Sequence, residues 1–162
     1  MDPTLGRLAD RAGGCVGDRT VAVAESFTAG LLAQGLATAE GASEWFCGGV
    51  VAYQVATKQS VLGVTTDDVV TEAAAKEMAE GVARLMGADV GVATTGVAGP
   101  DDEDGVPAGT AVIGWCVGGR SGARVVQLPG DPEEVVHRGA RVALEHLCEL
   151  LEAAAEPATP RS

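Results

Sequence analysis

Residues 20–36 read TVAVAESFTAGLLAQGL. Thr20 to Ala24 are small or β-branched, with no alternation of polar and apolar types, the pattern of a short strand buried on both faces. The chain leaves that strand through Glu25 and places Ser26 in a turn. Thr28 then opens a helix that carries Leu31, Leu32, Gly35 and Leu36 on one face. Strand, polar turn and helix in succession form the repeating unit of layered α/β proteins.

The same punctuation extends outward in both directions. Asp2 followed by Pro3 starts a helix that runs to about Ala12 and stops at Gly13-Gly14. Gly48 to Ala52 is a second strand, and Val55 to Leu62 a short helix. Thr71 caps the clearest helix, in which Ala74, Met78, Val82 and Leu85 recur at helical spacing before Gly87 closes it. Val90 to Thr94 is a third strand. Thr110 to Cys116 and Ala123 to Gln127 are two more, joined around Gly118-Gly119 as a hairpin. Asp131 and Pro132 open a last helix with Val136, Ala140, Ala143, Leu144, Leu147 and Leu151 inside. The expected class is α/β: three-layer α/β/α with a mixed, mostly parallel sheet of about five to six strands. Residues 1–155 are expected to form one domain and residues 156–162 a disordered tail.

Composition narrows the functional classes. Apolar residues make up 46% of the 162 but aromatics only 3%, so the core must be built from Ala, Val and Leu. The 23 glycines imply tight strand–helix turns, since they lack the strict period of a fibrous protein. A net charge of −12 works against nonspecific nucleic-acid binding, although backbone amides can still hold a small anion. No apolar run of about 18 residues indicates a membrane span, and MDPTLGRLAD lacks the features of a signal peptide, so a cytoplasmic protein is expected. Cys15, Cys47, Cys116 and Cys148 lack metal spacing and read as small buried hydrophobes. His137 and His146, nine residues apart on the last helix, read as exposed side chains rather than a metal pair. The acidic run Asp101 to Asp104 lacks the spacing of a calcium loop and reads as a solvated loop. No metal and no cofactor are expected.

Ligands of open α/β sheets bind at the carboxyl ends of strands, and three segments there carry more polar detail than packing needs. AESFTAG puts Ser26, Thr28 and Gly30 at a helix start, where hydroxyls and amides suit an anion, although Ser and Thr there are also ordinary caps. Residues 41–64 carry Ser43, Tyr53 and Lys58, a hydroxyl, a phenol and an amine in one strand-centred unit. A desolvated lysine can act as the base in amide hydrolysis, while the plainer reading is a surface lysine and a half-buried tyrosine. TTGVAGPD, residues 94–101, holds Thr95, Gly96 and Gly99 in a turn whose amides can receive an oxyanion or phosphate. It is neither a P-loop nor a GxGxxG fingerprint.

Together these segments resemble the CinA C-terminal domain family, the nicotinamide-nucleotide amidohydrolases. AESFTAG, GASEWFCGGVVAYQVATKQSVLGV, TTGVAGP and PAGT occur in that family's order and spacing, over about residues 5–152. The resemblance implies deamidation of nicotinamide mononucleotide to nicotinic acid mononucleotide, with release of ammonia, in pyridine-nucleotide recycling. It implies that Ser43, Tyr53 and Lys58 carry the catalysis, that Ser26 and Thr95 line the site, and that the protein is a homo-oligomer acting on a small-molecule nucleotide. Ser26 is the alternative nucleophile. An interface through the alanine-rich helix Thr71 to Met86 is expected. The chain departs from the pattern at Phe27, Ala29 and Ala42, and Pro132 stands where the family often has an arginine, with Arg138 two positions from a second one. A related amidase with a shifted substrate and a catalytically silent nucleotide-binding or competence-associated protein are the competing readings.

Overall fold

The computed structural model describes residues 2–155, so the expected tail at 156–162 lies outside the described residues. The strands are β1 (Val21–Glu25), β2 (Phe46–Val51), β3 (Val90–Gly96), β4 (Thr110–Val117) and β5 (Arg120–Gln127). They form one mixed sheet in the order β2-β1-β3-β4-β5. β2 and β3 flank β1 in parallel, with Val51 and Thr94 level with Glu25. The β4–β5 hairpin adds the antiparallel part and turns at Gly118 and Gly119, both at positive φ. Two residues of left-handed backbone are what a tight hairpin needs.

The helices are α1 (Pro3–Cys15), α2 (Leu31–Leu36), α3 (Ala42–Trp45), α4 (Val55–Leu62), α5 (Glu72–Met86) and α6 (Pro132–Ala155). Alternation along β1 shows the two helical layers. Val21 and Val23 join a core with Leu5, Leu36, Leu144 and Leu147 from α1, α2 and α6, whereas Ala22 and Ala24 meet Leu62, Met78 and Val82 from α4 and α5. The second layer packs closer because its contacts are small. A methyl added at Gly114 or Gly91 would run into the carbonyl of Ala75 or Ala79 on α5. Ala74, Ala75 and Ala79 are therefore buried against the sheet. The alanine face of α5, expected at an interface, is occupied within the chain.

Other expectations shift by identifiable causes. α1 continues through Gly13-Gly14 to Cys15, and Gly13 lets the Trp45 ring approach the helix, 3.4 Å from where a Cβ would stand. α2 begins at Leu31 rather than Thr28, after Gly30 at φ 99°. Of the four cysteines only Cys148 is buried, while Cys47 is exposed. His146 is not exposed: it packs edge-on to Trp115, centroids 6.2 Å apart, and burial lowers its pKa. No helix among the described residues is long and apolar enough to cross a membrane.

Candidate functional site

The chain steps from β1 to β2 on one side and then crosses to β3 on the other. That reversal opens a crevice beyond the carboxyl ends of β1 and β3, where ligands of such sheets bind. A cavity of about 290 Å³ occupies it. It is lined by Ser26 and Phe27 after β1, Tyr53 and Lys58 after β2, and Thr95 to Gly99 at the end of β3. The volume lies at the low end for ligand clefts, which suits one heterocycle and its sugar rather than a dinucleotide.

Lys58 is the chemically unusual residue. Its side chain is 1% exposed, although it sits in a helix beside the cavity. The amine donates to the backbone carbonyl of Tyr53 at 2.9 Å and joins none of the ion pairs of the described residues. Burial pushes its pKa below the ordinary lysine value, opposed by the more distant charge of Glu103. A carbonyl dipole favours the ammonium less than a carboxylate in contact would, and no carboxylate lies within ion-pair distance of the amine to hold the proton on. The phenol of Tyr53 does not perform that role: its residue is 69% exposed at the cavity mouth.

The hydroxyls around the cavity divide by engagement. Thr28 donates to Glu25 at 2.7 Å and shares a hydrogen bond with Thr94, also 2.7 Å. Thr95 donates to the Val69 carbonyl at 2.7 Å, tying the α4–α5 loop to β3. These are framework contacts. Ser26 is held by its backbone instead, its N–H donating to the Thr94 carbonyl and its own carbonyl accepting from Ala29. Thr28 and Gly30 do not line this cavity but a shallower depression beside His137. The amides expected to receive an anion at the start of α2 are occupied, since Leu32 and Ala33 donate to the Glu25 carboxylate.

Ser43 lies elsewhere. It is exposed on α3, which precedes β2, and β2 runs parallel to β1. It therefore stands at the amino end of the sheet, the length of β2 from the cavity, on the order of 17 Å at about 3.3 Å per residue. The structure brings together Ser26, Tyr53, Lys58, Thr95, Gly96 and Gly99, and leaves Ser43, Thr28 and Gly30 outside.

Sequence reasoning missed the acidic rim. Asp67, Asp68, Asp101, Glu103 and Asp104 all line the cavity, and Lys58 is the sole basic lining residue. The run Asp101 to Asp104 folds back through the Ala108 N–H, which donates to Asp102, and a Glu103–Val106 bridge. Its position directly after the third strand was the available signal. Among the described residues no three His, Cys, Asp or Glu side chains converge to hold a metal ion. Phe27 packs with Ala111, Leu128 and Val135 and lies over Gly139 of α6, which makes it one wall of the cleft.

Fold and site together define a three-layer α/β protein with a buried-lysine cleft at its topological switch point. A sequence profile of the CinA C-terminal domain matches residues 15–151, and the chain belongs to that family. It is 38% identical over 138 residues to a competence-damage inducible protein of Bacillus subtilis, covering 82% of this chain and 33% of that protein. A counterpart of the same description from Listeria monocytogenes is 50% identical over 105 residues. The chain thus spans about a third or less of the length of those relatives. Among solved structures, a CinA superfamily protein from Klebsiella pneumoniae superposes with a TM-score of 0.87 at 32% identity, covering 92% of this chain and 98% of that one. One from Escherichia coli gives 0.86 at 32% identity, covering 93% and 92%.

Proposed function

We propose that the chain is an amidohydrolase acting on the carboxamide of nicotinamide mononucleotide and its close relatives, with Ser26 as nucleophile and Lys58 as base. The observation that carries this reading is a lysine sealed from solvent, without a counter-ion and with a lowered pKa, in the same cavity as a serine at a strand end. A pure binding module has no use for a buried lysine whose pKa burial lowers. In the neutral form Lys58 takes the Ser26 proton as the oxygen attacks the carboxamide carbon. Amides of the Gly96–Gly99 turn other than that of Val97, which bonds the Thr110 carbonyl, stabilise the oxyanion by roughly 3 kcal/mol per donor. The C–N bond breaks, Lys58 returns the proton to nitrogen, and ammonia leaves. Lys58 then deprotonates a water that attacks the acyl carbon, releasing the carboxylate and restoring Ser26.

The test is ammonia release from nicotinamide mononucleotide by the purified protein and two serine variants. Ser26→Ala should lower kcat by about a thousandfold or more with binding largely kept, and Ser43→Ala should stay within a few fold of the parent. The reverse pattern would overturn the assignment. It would then require Ser43 from a second copy, because the single chain holds that residue at the other end of the sheet.

A further inference from the structure

We propose that this site selects cationic carboxamides without a phosphate, so that the N-ribosylpyridinium carboxamide is turned over in preference to its 5′-phosphate. The inference rests on the amidohydrolase reading and narrows its substrate class. Three independent observations carry it.

The first is the charge around the cavity. Five carboxylates line it, Asp67, Asp68, Asp101, Glu103 and Asp104, against the single amine of Lys58. That amine is 1% exposed and donates to the Tyr53 carbonyl, and burial lowers its pKa, so it is a weaker counter-charge than an exposed lysine. Clefts lined by one sign of charge concentrate the opposite sign and repel their own.

The second is that two polar groups of the lining that could receive a phosphate are engaged elsewhere, while the remaining amides of the Gly96–Gly99 turn are those assigned to the oxyanion. The hydroxyl of Thr95 donates to Val69, and the Val97 N–H to the Thr110 carbonyl.

The third is the absence of a guanidinium from the lining. Arg138 lies 3.9 Å from Glu134 on its own helix, and Arg141 bonds Asp2 at 2.9 Å. Neither lines the cavity, and Pro132 supplies no charge at all. A pyridinium ring carries its positive charge next to the carboxamide, so the acidic rim attracts the reactive half of the substrate. A phosphate dianion on the ribose reverses the net charge of the ligand and meets that rim with no partner.

The experiment compares kcat/KM for the riboside (net +1) and the mononucleotide (net −1) across salt concentrations. At low salt the riboside should lead by about tenfold, with its rate falling as salt rises and the mononucleotide's rising, because salt screens attraction and repulsion alike. In the Asp101→Asn/Asp104→Asn double variant, which keeps Glu103, the carboxylate whose charge acts on Lys58, the ratio should fall at least about threefold. A mononucleotide that leads at every salt concentration, or a ratio unmoved by the double variant, overturns the inference while leaving the amidase reading intact. No ammonia from either compound overturns the amidase reading instead. Equilibrium binding of the two ligands then decides charge selection alone, with tighter mononucleotide binding refuting it.

Discussion

Glu25, at the end of β1, and Lys58, in α4, are buried to the same degree, at 0% and 1% exposure. Their surroundings differ. The Glu25 carboxylate accepts three hydrogen bonds, from the Thr28 hydroxyl at 2.7 Å and the Leu32 and Ala33 amides at 2.8 and 2.9 Å. Those amides also carry the partial positive charge of a helix start. Lys58 has the Tyr53 carbonyl and no carboxylate within ion-pair distance. Burial alone thus does not mark a functional charge. A buried group whose charged form the protein solvates is framework, and one whose charged form it leaves poorly solvated is available for proton transfer.

Breaking the Lys58 side of this contrast should have the largest effect. Lys58→Met should abolish turnover by about a thousandfold or more, yet raise the thermal midpoint at pH 7. The sign follows from linkage: the folded pKa lies below the unfolded value of 10.5. Between the two values the unfolded chain binds more protons than the folded one, so stability rises with pH across that window and is diminished below it. Methionine removes both the cost and the slope, and each kcal/mol recovered raises Tm by about 2–4 °C. Melting curves of both proteins at pH 7 and pH 10 check this. A variant that melts lower than the parent at pH 7 would mean the amine is a structural donor after all.

The Glu25 side should respond in the opposite sense. Glu25→Ala leaves one buried amide, one half-buried amide and a buried hydroxyl without their acceptor and should cost about 2–5 kcal/mol. Glu25→Gln keeps one carbonyl acceptor and should cost less, about 1–3 kcal/mol. Urea denaturation midpoints measure both. A loss under about 1 kcal/mol in the alanine variant would show that α2 does not depend on this carboxylate.

The contrast also shows where the sequence was legible. β1 and β3 stood out because strands buried on both faces leave near-continuous apolar runs, and the hairpin, whose second strand is half-exposed, stood out through Gly118-Gly119. The start of α2 was misplaced because Thr28 has the chemistry of a local cap, whereas the capping oxygens come from Glu25, seven and eight residues before the amides they accept from. Lys58 and Ser26 were singled out because both follow strands, and both line the cavity. Ser43 was grouped with them by proximity in sequence, although it precedes a strand parallel to β1 and must lie at the far end of it. Strand direction, inferable from the expected parallel sheet, was the missing step. The run Asp101 to Asp104 reads as a solvated loop and is exposed throughout, but the fold-back of residues 101–106 also sets Asp101, Glu103 and Asp104 at the cavity mouth, which the charge pattern alone does not show.

The smallest effect tests the turn that aims Glu25 at its helix. Ala29 sits at φ 49° and Gly30 at φ 99°, adjacent residues in left-handed backbone, of which only the second is glycine. A non-glycine residue there costs roughly 1–2 kcal/mol, partly offset by the roughly 0.5–1 kcal/mol that glycine loses in ordering. The Ala29 methyl is exposed and supplies no core packing. Ala29→Gly should therefore raise stability by up to about 1 kcal/mol, or a few degrees in Tm. Gly30→Ala should do the reverse by about 1–2 kcal/mol, since its new methyl gains only a contact with Val51 3.6 Å away while the backbone stays strained. A gain on Ala29→Gly together with a loss on Gly30→Ala would trace both to left-handed backbone, because the entropy of glycine alone gives the reverse pair of signs. Equal signs would mean that the turn relaxes and that the helix start is held by the Glu25 carboxylate alone.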